Sequence, residues 1–437
     1  MSDTVTFSRE LPVAADCDVF IAGGGPAGTA AAWAAARDGA RVFLAERGGC
    51  FGGMGTAGLV PAFAGFSDGR ELTCGGFGAE LFAAMRGEGG FGDRGYAIRP
   101  EVLKRIYDRM MTESGIDFVF EADLIGVNRR GDRLTEAVIA TAAGPVAVRA
   151  RVFIDATGDG VLGFLAGAES ELGDPAGRIM PASLCSLWSN VDWAAWRDSG
   201  AAIADLLNAA IEGGGYFQRP DWHHTGMAPA GNGTACGNFG HIFGLDPTDF
   251  RARTAAWIEA RRQYPEFQRF YRERVPGFGG CELAASASLL GIREGRRLVG
   301  DYRMVRGDYR DRRVFPDTIG VYHYGIDIHP YDNSPAEFQR FRNDFFSPEN
   351  TLKPGECCTI PYRSLCVKGS ANLLAAGRCI AADHDIEAAI RVMPTCFVTG
   401  QAAGCAAALA AASGDIRQVA APELQKQLAG LGARLRP

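Results

Sequence analysis

Asp18-Val-Phe-Ile-Ala22 is a short apolar run of strand type, and it stops at three glycines, Gly23 to Gly25. Pro26 follows, suited to the first turn of a helix, where its missing N–H costs nothing. Pro26 to Arg37 is Ala-rich and predicts that helix, with Gly39 as its stop. Arg41-Val-Phe-Leu-Ala45 then predicts a second buried strand, closed by Glu46, so residues 18–46 read as one β-α-β unit. Residues 47–95 read as a long Gly-rich connection, of which the part from Gly65 to Gly95 is expected to be mobile near an active site. Arg99 to Ser114 is amphipathic, with Leu103, Ile106, Tyr107 and Met110 on one helical face. Strand patterns recur at 118–120, 124–127, 134–140 and 146–149, the last ones as a meander, and again at Val152-Phe-Ile-Asp155. Residues 330–355 read as a loop or short helix. Asn372–Ala376 predicts another buried strand, and a long helix is expected from Pro394 to about Ala412.

Composition narrows the class. Of 58 glycines, 21 fall between residues 23 and 95, without a Gly-X-Y period, which excludes collagen. A chain of 437 residues with 47% apolar and 22% charged residues is not a disordered one. Its net charge of −6, with no basic block, disfavours nucleic acid as a partner. Met1 to Cys17 lacks the apolar core of a signal peptide, and Phe397 to Ala412 is too short and polar for a membrane span. A cytoplasmic protein acting on a small molecule is therefore expected; a homo-oligomer is compatible with this. The twelve cysteines are scattered without any CxxC, which argues against disulfide stapling and against zinc or iron–sulfur sites. His223, His224 and His241 lack carboxylate spacing, so no metal site is expected.

Gly23-x-Gly25-x-x-Gly28 sits between a strand and a helix, with Glu46 at the end of the next strand. Gly23 suits the tight turn, Gly25 lets a pyrophosphate approach the backbone, and Gly28 lets helix and strand pack closely. The helix N-terminus that opens at Pro26 and Ala27 supplies free N–H groups, beyond the proline itself, for phosphates. Glu46 can accept ribose hydroxyls, which favours FAD or NAD over NADP. A second loop with almost no side-chain bulk, Arg47 to Gly58, suits the flat part of an extended dinucleotide and points to FAD.

Several segments together resemble the FAD-dependent oxidoreductases of the glutathione-reductase-like superfamily. They are Asp18 to Gly28, Glu46 to Gly58, Asp155-Ala156-Thr157-Gly158-Asp-Gly160 and Gly291-Ile-Arg-Glu-Gly-Arg-Arg-Leu-Val-Gly-Asp301. The C-terminal ones are Ile360 to Leu365, Asn372 through Gly377-Arg378-Cys379, Ile390 to Cys396, and Gly400 to Gly404. The resemblance implies an α/β fold: a three-layer, Rossmann-like FAD/NAD(P)-binding domain with a parallel sheet and β-meander, interrupted by an α+β substrate domain. The expected division is 1–165 and 355–437 for the FAD domain, with 166–354 inserted. It further implies that Gly23, Gly25, Gly28, Glu46 and Arg47 hold the ADP half, and that the backbone near Leu124 meets adenine. Gly53, Met54, Gly55 and Thr56 would lie along the ribityl chain and flavin. Ala156, Thr157, Gly158, Gly377 and Gly400 belong to the same cofactor motifs. Arg378 would sit near the pyrophosphate or the ribityl chain, and the helix starting at Pro394-Thr395 would face the flavin N1/O2 edge. No CxxxxC pair follows the second strand, because position 55 is Gly55, so a dithiol relay is not expected.

For catalysis, oxidation at carbon needs a base and a cationic partner. His384 and His329 are the candidate bases, and Arg378 and Arg391 the cations. Arg293 and Arg297 either face the substrate or pair with Glu294 and Asp301. The Trp-rich stretch 188–257 reads as aromatic core first and as an apolar pocket second. The expected reaction is hydride transfer from a small organic substrate to the flavin, reoxidised by oxygen or another acceptor. An NAD(P)H-dependent flavin monooxygenase and a non-catalytic FAD-binding scaffold are the alternatives.

Overall fold

A computed structural model describes residues 5–92, 97–223 and 226–437. The chain opens on β1 (Val13–Ala22), α1 (Pro26–Arg37) and β2 (Val42–Ala45). Every residue of β2 is buried, as are the last four of β1, residues 19–22, because the sheet is covered on both faces. Next come α2 (Phe77–Gly87), α3 (Pro100–Glu113) and β3 (Asp117–Val119), then the meander β4 (Asp123–Arg130), β5 (Arg133–Thr141) and β6 (Gly144–Asp155). The sheet order is β3-β2-β1-β6-β5-β4, with the late strand Leu373–Ala375 parallel to β6. β1, β2, β3 and β6 are parallel to their neighbours, while β4, β5 and the first half of β6 are antiparallel. This is the expected α/β fold of Rossmann type, a parallel sheet extended by a β-meander.

Three elements differ from expectation. β6 is one strand rather than two: Arg149 and Arg151 are exposed on alternate positions, so the apolar pattern breaks while the backbone continues. The Gly-rich connection is tied down. Phe66, Cys74, Phe77, Leu81 and Met85 are buried in the main core, and Asp68 accepts hydrogen bonds from the Arg70 and Glu71 amides and from Arg434 Nη1. Asp93 to Tyr96 of that connection lie outside the described residues. Residues 335–345 form a full helix, Pro335–Phe345, with Ser334 Oγ accepting from the Glu337 amide at its start.

One core contains the sheet, α1 and the C-terminal helix Met393–Ala410. That helix crosses α1 so closely that a Cβ on Gly400 would stand 2.1 Å from the Ala27 carbonyl oxygen, and one on Gly404 2.2 Å from that of Ala31. A second core is built from residues between Ala182 and Ile292, joined by Leu59. Trp188 and Trp193 lie in it, around the long helix Phe250–Arg274, so these two are packing residues. The later residues Leu298, Met304, Tyr309, Ile319 and Tyr322 pack back onto the main core. All twelve cysteines are free thiols, including Cys357 and Cys358. Among the described residues no single helix is long and apolar enough to cross a membrane; one pair, His384–Ile390 and Met393–Ala410, passes only together and is bent by 95°.

Candidate active site

The turn between β1 and α1 is shaped by steric necessity. Gly23 has φ +95°, and a Cβ on Gly28 would lie 1.8 Å from the Gly23 carbonyl oxygen, so neither position admits a side chain. Gly25, the residue capping α1, is the opposite case: nothing lies within 4 Å of where its Cβ would be. The open space lies at the N-terminus of a twelve-residue helix, where backbone N–H groups and the helix dipole favour anions. Glu46 leaves the end of β2 and accepts from the Gly24 amide through Oε2 and from the Gly48 amide through Oε1, both at 2.6 Å. Gly52 N–H donates to the Gly24 carbonyl at 2.9 Å, so the two glycine loops lie against each other. The Ala122 amide donates to the Glu46 carbonyl, which sets the start of β4 and Leu124 beside this acid.

A cavity of about 130 Å³ opens from the first loop. Gly25, Pro26, Ala27, Arg47, Gly53, Met54, Ala156, Thr157, Gly158, Gly377 and Arg378 line it, all expected at a cofactor. Arg378 Nε donates to the Gly158 carbonyl at 2.9 Å, and its Nη2 pairs with Asp159 at 2.5 Å; Asp159 also holds Arg253. The cleft continues into a larger cavity of about 440 Å³, which shares Met54, Ile292, Arg378, Arg391 and Met393 with the first. Val392 and Met393, at the start of the C-terminal helix, reach this junction; Pro394 and Thr395 stand just behind them. Gly55 packs against Met393, and the buried Thr56 donates to the Phe51 carbonyl, so both support the loop from outside the two cavities. Gly400 likewise serves the helix crossing.

The larger cavity has an aromatic lining of Trp222, Phe341, Phe345 and Phe346 and a polar lining that includes Arg293, Asp327, His329 and Arg391. A chain of hydrogen bonds runs behind it. Asp221 Oδ1 meets His241 Nδ1 at 3.0 Å, His241 Nε2 meets His329 Nδ1 at 2.8 Å, and His329 Nε2 stands 3.4 Å from Asp327 Oδ1. Asp327 Oδ2 takes Arg391 Nη2 and the Tyr324 hydroxyl, each at 3.1 Å. Burial pushes the pKa of both imidazoles down, and for His329 the nearby Arg293 adds to this, so the pair is neutral. Burial raises Asp221 and Asp327, but His241 for the first, and His329, Arg391 and Arg293 for the second, outweigh it; both stay ionised. Two N–H protons then serve three links. Assigning them to the two short links puts Nδ1–H of His241 towards Asp221 and Nδ1–H of His329 towards His241. The third link, from His329 Nε2 to Asp327, is the longest of the three.

No metal site was expected at the histidines, yet three of them form a cluster whose geometry could hold a metal ion. His223, His241 and His329 bring ring nitrogens within 4.8 Å of one another, because Asp221 ties both the His223 amide and the His241 ring. His224 lies outside the described residues.

The other candidate base sits elsewhere. His384 lines neither cavity; its Nδ1 pairs with Glu294 Oε1 and its Nε2 with the Tyr331 hydroxyl, both at 2.9 Å. Burial lowers it, but Glu294 outweighs this and its pKa is raised. Glu294 also takes Arg297, which bridges to Glu387 at 2.5 Å. Asp301, the other expected partner, pairs with Arg417 instead. Arg297→Met strands the fully buried Glu387 and leaves Glu294 to His384, and a loss of about 3–5 kcal/mol in a denaturant melt is expected; an unchanged midpoint would show the network to be incidental.

Sequence reasoning missed Asp221 and Asp327 and ranked His241 below His329. The available signal was the repeated Asp-x-His spacing, Asp221-Trp-His223 and Asp327-Ile-His329, which in extended chain sets acid and base on one side.

The residues present fit a dinucleotide flavin: a clear approach to the backbone at Gly25, a helix N-terminus for phosphate, and a low-bulk second loop leading to a polar cavity. No curated protein matches the chain. Among solved structures, a geranylgeranyl bacteriochlorophyll reductase-like protein from Thermoplasma acidophilum is 16% identical, with a TM-score of 0.47 over 95% of this chain and 83% of that one. The flavin-dependent brominase Bmp2 is 13% identical, with a TM-score of 0.47 over 92% and 81%. The p-nitrophenol 4-monooxygenase PnpA from Pseudomonas putida DLL-E4 is 12% identical, with a TM-score of 0.37 over 95% and 84%. These scores are too low to carry over the activity of any of the three. The family of FAD dependent oxidoreductases matches residues 18–428, nearly the whole chain. This chain belongs to that family, and FAD is its cofactor.

Proposed function

We propose that the protein is a dehydrogenase or oxidase, in which a small organic substrate loses hydride from a carbon bearing a hydroxyl or amino group. When bound, FAD supplies the two-electron acceptor. The observation that carries this reading is the neutral His329, joined through His241 to Asp221, in the lining of a cavity continuous with the cofactor cleft. As hydride departs, the heteroatom proton passes to His329 Nε2. Its Nδ1 proton can move to His241 Nε2 and that of His241 Nδ1 towards Asp221, so positive charge need not stay at the substrate. The proton-loaded pair is then flanked by Asp221 and Asp327, both ionised. Arg391, held by Asp327, stands at the junction of the cavities and favours negative charge developing there. The aromatic side chains keep water from the reacting centre.

The test is anaerobic mixing of FAD-loaded protein with hydroxy acids, amines and aromatic alcohols, and separately with NADH and NADPH. Loss of flavin absorbance with one of the organic substrates supports the reading. Rapid loss with NADH or NADPH alone favours a monooxygenase, and none with any compound favours a scaffold.

A further inference from the structure

Arg293 is a buried cation without a carboxylate of its own. The residue is 8% exposed, and its hydrogen bonds, both through Nη1, go to neutral acceptors: the Pro181 carbonyl at 2.9 Å and the Ser183 hydroxyl at 3.0 Å. It forms no ion pair among the described residues, whereas its cavity neighbours Arg391 and Arg378 are paired with Asp327 and Asp159. A desolvated guanidinium is costly unless an anion meets it. Burial and the repulsion of Arg391 push Arg293 down to about 10, well below the ordinary arginine value, yet it stays charged at neutral pH. The wider cavity repeats the imbalance, because four arginines and one aspartate line it. Two further donors among lining residues lack acceptors, Arg391 Nε and the Trp222 indole N–H. The missing group is an acceptor-rich anion of limited size, and the aromatic lining calls for a flat apolar body attached to it.

We infer that the substrate is an organic carboxylate with an aromatic or similarly flat apolar portion, and that Arg293 is the residue that takes its carboxylate. This rests on the reading of the 440 Å³ cavity as the substrate site. The carboxylate is held by the Arg293 nitrogens that Pro181 and Ser183 leave free. These two fix the guanidinium from behind, so little side-chain freedom is lost on binding.

The experiment titrates FAD-loaded protein with phenylacetate and 3-phenylpropionate, and with the two matching amides, following the perturbation of the flavin spectrum. None of these carries an oxidisable hydroxyl or amine on carbon, so the measurement reads anion binding apart from turnover. Acids are expected to bind about 10- to 100-fold more tightly than the amides, and Arg293→Met, checked for FAD content and melting temperature, is expected to abolish that preference. Arg293→Lys should restore part of it. Equal binding of acids and amides by the unaltered protein overturns the inference, and that comparison needs no variant to fold. A preference that survives in Arg293→Met overturns it as well, as does a change confined to the flavin potential. If acids bind as expected but no 2-hydroxy or 2-amino acid reduces the flavin, the anchor stands and the dehydrogenase reading fails.

Discussion

Glutamine in place of His329 is expected to slow anaerobic flavin reduction by about 10²- to 10⁴-fold, the range over which a positioned base contributes. FAD content and the affinity for phenylacetate should change little, because His329 touches neither the glycine loops nor Arg293 through any hydrogen bond. His241→Gln interrupts the same chain one step back, so its effect should be smaller and pH-dependent. The sign of the pH dependence follows from the burial of the base. His329 must be unprotonated to accept, and its pKa lies well below the ordinary 6.5, chiefly through desolvation with Arg293 adding to it. The reduction rate should therefore hold level through neutral pH and fall only on the acid side of that value. A rate that falls between pH 8 and pH 6.5 contradicts this placement. Glutamine at His384 should act differently, lowering stability through Glu294 and Arg297 while the residue lines neither cavity.

Valine in place of Gly25 is expected to give a folded protein without FAD. The position has φ −70° and ψ −173°, which any residue adopts, and no atom stands within 4 Å of the added Cβ. The valine therefore costs the fold almost nothing, yet it fills the space through which phosphate reaches the helix N-terminus. Gly28→Ala is the contrasting variant, because its Cβ would meet the Gly23 carbonyl at 1.8 Å and the β1–α1 packing must shift. Purification of both, with FAD per chain from visible absorbance and far-ultraviolet circular dichroism, separates the two effects. Full FAD content in folded Gly25→Val would move the phosphate site elsewhere.

The cofactor half was legible in the sequence because its determinants are local. A strand, three glycines, an Ala-rich helix and a terminal acid lie within 29 residues, 18 to 46, and each constrains its neighbour. The polar end of the larger cavity was only half legible. His329 and Arg391 could be singled out, but His241 meets His329 across 88 positions of chain, and no local pattern encodes such a meeting. Proximity in sequence misled in the opposite direction at His384. It follows Arg378 closely, yet Asp383 caps a new helix, His384–Ile390, in which that side chain pairs with Glu294 and Tyr331. The tryptophans misled less, since aromatic core was the first reading and, of the five between residues 188 and 257, Trp222 alone lines the cavity. The Gly-rich connection looked mobile because composition does not show that Asp68 will meet Arg434, 366 positions away.

The central claim, a dehydrogenase or oxidase built on His329, is tested most directly by following flavin absorbance on anaerobic mixing with aromatic 2-hydroxy and 2-amino acids. Bleaching by at least one acid, abolished or slowed at least about 100-fold in His329→Gln, with no bleaching by NADH or NADPH alone, is the predicted result. Rapid bleaching by NADH or NADPH with none by any acid would contradict it.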